Sequence, residues 1–302
     1  VLVENNIVMN IFKALFGGKE ETREERRKEE EARNFDVLKY DGVKALKMRQ
    51  PAYAVQCLTH ALELKDDLEC RDYLSQALIQ NNELPKAYEQ LQKLAEAQPD
   101  NTRILMRMAE VAYMMEDYNV MADACEKALM IDNENPLTFF FYARACRGQG
   151  DDNNAVAMLT KAISLKDDYY DAYLLRGEIL LETGEVDNAD EDAAYLCEHV
   201  ADNEDILLLK AKIETAKGNY DQAIDIYNKV IDLNPFCATA FRERGKAKMA
   251  AGDASGAEED MKTAEEFESD LNKDGDEKKE DMEQKVNQIY KNNDPYGIFS
   301  GN

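Results

Sequence analysis

The sequence has no tryptophan, two histidines (His60 and His199) and six prolines in 302 residues. So little imidazole leaves few candidates for histidine-based acid–base work or a multi-histidine metal centre. No nucleophile motif, glycine-rich phosphate loop or paired set of metal ligands is present, so no catalytic residue, metal ligand or cofactor is assigned. The six cysteines are scattered without a Cys-x-x-Cys pair. Cys125 and Cys146 fall in apolar columns, where a thiol acts as a small hydrophobe. That usage points to a reducing, cytoplasmic compartment over a disulfide framework. No apolar run approaches the roughly 18 residues of a membrane span. Positive charge is also short: 37 Lys and Arg stand against 62 Asp and Glu, a net charge of -25. A nucleic acid or an anionic membrane surface would be repelled.

What the chain does contain is a repeat. In Gly218–Pro235 a Gly-Asn turn leads into an amphipathic helix with Ala223, Tyr227 and Val230 on one face, closed by Asn234-Pro235. Steps of 34 residues back from Ala223 reach Ala189, Ala155 and Met121; a step of 33 links Ala87 to Ala54, and one step forward reaches Ala257. A second column of small residues keeps the same register: Gly42, Ser75, Ala109, Ala143, Gly177, Ala211 and Gly245. Small residues in both columns let paired helices approach closely, and larger ones would overpack the contact. Leu38, Leu105, Phe139, Tyr173, Leu207 and Phe241 are expected to fill space one turn earlier, with Arg71 as the exception in its unit.

Each unit is predicted as two helices joined by a tight turn, at Asn82, Glu116, Gly150, Gly184, Gly218 and Gly252, where a left-handed residue suits a helix C-terminus. Arg49-Gln50-Pro51 departs from this pattern. The units run at about 35–67, 68–101, 102–135, 136–169, 170–203, 204–237 and 238–271. Residues 1–34 form a tail and a charged lead-in helix, supported by i, i+4 pairs such as Glu24–Lys28. Within them, Ile11, Phe12, Leu15 and Phe16 fit either a frayed terminus or a short docking helix. Residues 272–302 hold an acidic turn, a capping helix near 277–291 and a tail.

A period of 34 with these columns resembles the tetratricopeptide-repeat family over about 35–271. Ala223, Tyr227 and Pro235 fall on the family's A-x-x-x-F and proline positions, while its tryptophan is absent throughout. The resemblance implies an all-α, right-handed α-solenoid of about seven units. It also implies a concave groove, lined by the first helices, that holds a peptide or partner protein. Some members grip acidic chaperone C-termini with a carboxylate clamp. Lys39, Arg103 and Arg107 match its basic positions, but Val43 and Tyr73 replace the asparagines.

The expected function is therefore a non-catalytic scaffold or adaptor. Its groove column would be Lys39, Asp72, Met106, Phe140, Leu174, Leu208 and Arg242, with Tyr113, Leu181 and Met249 two turns further along their helices. The binding residues assigned are Met106, Tyr113, Phe140, Leu174, Leu181 and Leu208, apolar surface inside a charged rim. Given the acidic chain, a basic or amphipathic protein segment is the expected partner. An alternative lies in Asp270–Asp281, which resembles a calcium loop with acids at alternate positions around Gly275. Glu277, Lys278 and Asp281 depart from that pattern, and an acidic turn accounts for the same residues. Self-association through Ile298-Phe299 is a further alternative.

Overall fold

Seven of the turns share one hydrogen bond, and that bond sets the architecture. The amide of Asn219 donates to Glu214 O at 2.9 Å, and Gln50, Glu83, Asp117, Asp151, Glu185 and Asp253 donate in the same way to the carbonyl five residues back. This is the six-to-one bond of a Schellman turn, which needs a left-handed residue just before the donor. The residues there are Arg49, Asn82, Glu116, Gly150, Gly184, Gly218 and Gly252, and all have positive φ. The Arg49 turn, irregular in sequence, keeps the common geometry with a φ of 56°.

This computed structural model describes residues 22–271, in which fourteen helices and no strand are found. They fall into two compact units that divide after Asn133. The first holds α1 (Arg23–Lys47), α2 (Pro51–Leu64), α3 (Leu68–Gln80), α4 (Leu84–Ala97), α5 (Thr102–Met114) and α6 (Tyr118–Ile131). The second holds α7 (Pro136–Gly148), α8 (Asp152–Leu165), α9 (Tyr170–Glu182), α10 (Val186–His199), α11 (Glu204–Ala216), α12 (Tyr220–Leu233), α13 (Ala238–Ala251) and α14 (Ala254–Leu271). The fold is all-α, a solenoid of helix–turn–helix units in which consecutive helices pack as pairs.

The lead-in helix and the first repeat helix are one. Thr22 and Glu25 form a capping box that starts α1, and no glycine or proline interrupts residues 23–41. The Glu24–Lys28 pair forms at 2.9 Å, with both side chains exposed. The segment 1–18, the capping helix at 277–291 and the tail with Ile298-Phe299 lie outside the described residues. So does the calcium-like run beyond Leu271; α14 continues through its first two positions.

Every member of the two small-residue columns is buried, including Met121. A Cβ on Gly42 would lie 2.5 Å from Leu58 Cγ, and one on Gly177 2.9 Å from Leu209 Cδ2. In the first unit the core runs through Phe35, Leu58, Leu74 and Leu78. In the second, Leu159 and Ile179, then Leu180 and Leu209, then Tyr227 and Val230 form successive clusters. Of the large residues expected beside the small column, Leu105 is buried, and the other five and Arg71 are half-buried.

Candidate peptide-binding site

The second unit brings two of the assigned residues into one cavity. Leu181 lies near the end of α9 and Leu208 in the first half of α11, the first helices of consecutive pairs. Together with Leu209 they line a cavity of about 250 Å³ whose rim carries Arg147, Glu178, Glu182, Asp205 and Lys212. Arg147, at the end of α7, donates to Glu178 Oε2 at 3.2 Å and to Glu182 Oε1 at 2.9 Å. These pairs are about a third to three-fifths exposed, so they position the rim more than they stabilise the fold. Their residues were not singled out from the sequence, because charged side chains on a charged chain give no periodic signal.

The other assigned residues contribute differently. Phe140 and Leu174 are half-buried. Phe140 rests 5.2 Å from the ring of Tyr169 and under the Arg144 guanidinium at 5.8 Å. Burial, with the Asp171 carboxylate second, pushes the Tyr169 phenol up to about 12, so that ring stays neutral. Leu174 packs against the cluster around Leu180 and Ala193. In the first unit Met106 is only 8% exposed, because its neighbours close over it. Tyr113 is 37% exposed and meets Tyr118 edge-on at 6.3 Å. Met106 is therefore buried, and Phe140, Leu174, Leu181 and Leu208 are half-buried. Met249, at 56%, is the most exposed residue of the two columns.

Two of the three basic positions of the carboxylate-clamp pattern, Lys39 and Arg107, are engaged within the chain. Lys39 donates to Asp67 at 2.9 Å and Glu69 at 2.7 Å. Burial opposes the Lys39 charge, but those two carboxylates hold its pKa above the ordinary lysine value. Arg107 pairs with Asp72 and donates to Ser75 Oγ at 2.6 Å.

A second feature recurs in the structure two units apart. Arg176 on α9 grips Asp192 on α10 through two bonds of 2.9 and 2.6 Å and reaches Thr160 on α8 at 2.9 Å. Two repeat steps on, Arg244 grips Asp260 at 2.8 and 2.6 Å and Asn228 at 2.7 Å. Each guanidinium also lies over an aromatic three residues earlier, Tyr173 at 5.4 Å and Phe241 at 5.2 Å. These clamps stitch each helix pair to the one before it. In the pair between them Lys210 takes over, bonding Asp190 at 2.6 Å and Glu214 at 3.0 Å.

All six cysteines are free thiols, five of them buried and Cys197 exposed. Among the described residues no helix is long and apolar enough to cross a membrane. No curated protein matches the chain. Tetratricopeptide-repeat family profiles match residues 138–169 and 208–270, both in the second unit. Among solved structures, a tetratricopeptide repeat protein from Parabacteroides merdae is 15% identical, with a TM-score of 0.66 over 78% of this chain and 93% of that one. PilW, a type IV pilus biogenesis factor, is 15% identical, with a TM-score of 0.57 over 77% and 96%. PilF of Pseudomonas aeruginosa is 17% identical, with a TM-score of 0.54 over 70% and 96%. At such identities these structures share the fold alone. The helix pairs, the 34-residue register and the two profile matches agree, and the chain belongs to the tetratricopeptide-repeat family, whose arrays are in general protein-interaction scaffolds.

Proposed function

We propose that the chain is a non-catalytic adaptor that holds a segment of a partner protein against the first helices of its second unit. The observation that carries this reading is the cavity over Leu181 and Leu208, lined by three leucines and five charged side chains. Three acids and two bases share that rim, so a segment presenting an apolar side chain beside a lysine or arginine fits it. Phe140 and Leu174 extend the apolar surface along the neighbouring first helices. The buried thiols suit a reducing, cytoplasmic setting.

The test is a Leu181→Glu, Leu208→Glu variant compared with wild type in capture from the source lysate, read by mass spectrometry. Both residues are half-buried, so circular dichroism and melting temperature are checked first. A protein held by wild type and released by the folded variant supports the reading. Equal recovery by both proteins would refute it.

A further inference from the structure

The repeat permits an internal comparison between junctions. Counting two steps of 34 back from the Arg176 clamp, Met108 stands where Arg176 stands, Gln92 where Thr160 stands, and Leu105 where Tyr173 stands. Ala124 replaces Asp192. In the second unit this junction is filled from within. Tyr195 stacks on Tyr173 at 4.4 Å, and His199 stacks on Tyr195 at 4.1 Å. At the Arg244 junction, Phe267 closes on Phe241 at 5.6 Å. The matching residues of the first unit are Lys127 and Ile131, which supply no ring. The space that arginine and aromatic occupy elsewhere is open here. It forms a cavity of about 480 Å³ between α4 and α6, lined by Tyr88, Gln92, Pro99, Leu105, Met108 and Met130 among others. That volume lies in the range of ligand sites, and its walls are mainly apolar.

Met130 marks the mouth. Its column reads Glu63, Glu96, Ser164, Glu198, Asp232 and Glu266 in the other units, and Met130 alone is apolar. It is 87% exposed, beside Ile131 at 42%. A flexible, polarisable side chain held in water at the lip of an apolar cavity is suited to closing over an incoming group. The surroundings are electronegative. The Tyr88 phenol is held above its ordinary pKa by burial first, then by the Asp123 and Asp117 carboxylates; the lining itself carries one acid, Glu96, and one base, Lys127, so the negative balance comes from the two aspartates.

We propose that this socket between α4 and α6 receives a peptide segment of a partner that supplies an aromatic side chain and an adjacent lysine or arginine, the groups that fill the same junction in the second unit. The occupant follows from that internal comparison and from the carboxylates of Glu96, Asp117 and Asp123, which outnumber Lys127 around the socket. The surface is separate from the one over Leu181 and Leu208, so either can fail without the other.

The experiment uses the full chain and two fluorescein-labelled helical peptides of one pattern, built from phenylalanine with lysine or from phenylalanine with glutamate. Anisotropy is read for wild type, Lys127→Tyr/Ile131→Phe and Met130→Glu. The double variant fills the socket as Tyr195 and Phe267 fill theirs. The single change restores the acid that most units carry at an exposed site, where the fold is not at risk. Saturable binding of the phenylalanine–lysine peptide, weakened at least tenfold by both variants and absent for the phenylalanine–glutamate peptide, is the expected result. Equal binding to all three proteins would mean general attraction to an acidic surface and would overturn the proposal, as would no binding to wild type. Equal binding of the glutamate peptide would overturn the basic requirement. If light scattering without peptide shows a dimer that Met130→Glu dissolves, the socket belongs to a second copy of the chain and the proposal fails.

Discussion

Removing Asp192 tests how the second unit is held together. Its carboxylate is 4% exposed and takes two bonds from Arg176, whose side chain is 17% exposed. Desolvating such a pair is costly, so its net contribution against a well-packed apolar pair is small. Removing one partner is different, because the other stays buried as an uncompensated charge. In Asp192→Ala the Arg176 guanidinium keeps its bond to Thr160 and its place over Tyr173, but loses the charge that balances it. A loss of about 3–5 kcal/mol is expected from such a broken pair. Arg176→Ala should cost a similar amount, since it strands the carboxylate. Arg176→Leu/Asp192→Leu should cost much less than the two single losses added together. Because neighbouring repeats share stability through their interfaces, amide hydrogen exchange across α8–α10 is the proper readout, with a urea titration beside it. If each single variant lost under about 1 kcal/mol and the double variant were additive, the clamp would not be a coupled pair and the reasoning would fail.

Two further outcomes follow from the turns and the titrating groups. At Gly218 φ is 80° and an added Cβ would meet nothing within 4 Å, so Gly218→Ala should cost about 1 kcal/mol through backbone strain alone. Glu116, with a φ of 58°, should show the opposite sign, Glu116→Gly gaining up to about 1 kcal/mol; thermal melts of both would refute the shared-turn geometry if the signs agreed. Asp260 is 4% exposed, and although burial opposes its charge, bonds from Arg244 and Lys248 hold its pKa below the ordinary carboxylate value. A depressed folded pKa contributes stability above the unfolded value of about 3.9 that is lost as pH falls through the folded one. Asp260→Asn should therefore flatten the acid limb of the stability profile below about pH 5, and an unchanged limb would contradict the assignment.

The fold was legible because its signals recur. A glycine or asparagine at one turn means little, but the same offset at six turns fixes a period, and the backbone then imposes the turn even on Arg49, where the sequence offers no glycine. The break expected between the lead-in and the first repeat was not legible in this way. Residues 19–33 differ from Phe35 onward in composition, yet composition does not end a helix, and nothing between Thr22 and Lys47 does. For the candidate site, sequence and structure meet only in placement and burial. Spacing placed Leu181 and Leu208 on the first helices, and the cavity joins them. Spacing could not show how far neighbouring helices close over a column, which is why Met106 reads as surface in sequence and lies in the packing. The Arg176 and Arg244 clamps repeat every second unit, and a search tuned to one step passes over them.

The two units solve the same packing problem with different residues. The second places glycine at all four inner turns and closes two junctions with arginine, carboxylate and aromatic ring. The first holds Arg49, Asn82 and Glu116 in the left-handed region, a conformation that costs a non-glycine residue on the order of 1 kcal/mol, and leaves one junction open. A chain selected for stability alone would fill that cavity and relax those turns, since both changes need only residues that other repeats of the same chain already carry. The second unit has its own left-handed residue, Asp202 at φ 46°, and its own cavity, but only in the first do strained inner turns, an unfilled helix junction and an exposed methionine at its mouth come together, as expected where stability has been traded for recognition. By that argument, a residue that breaks the repeat's pattern on exposed surface is a better pointer to function in this chain than one that keeps it, and Met130 is the clearest such residue.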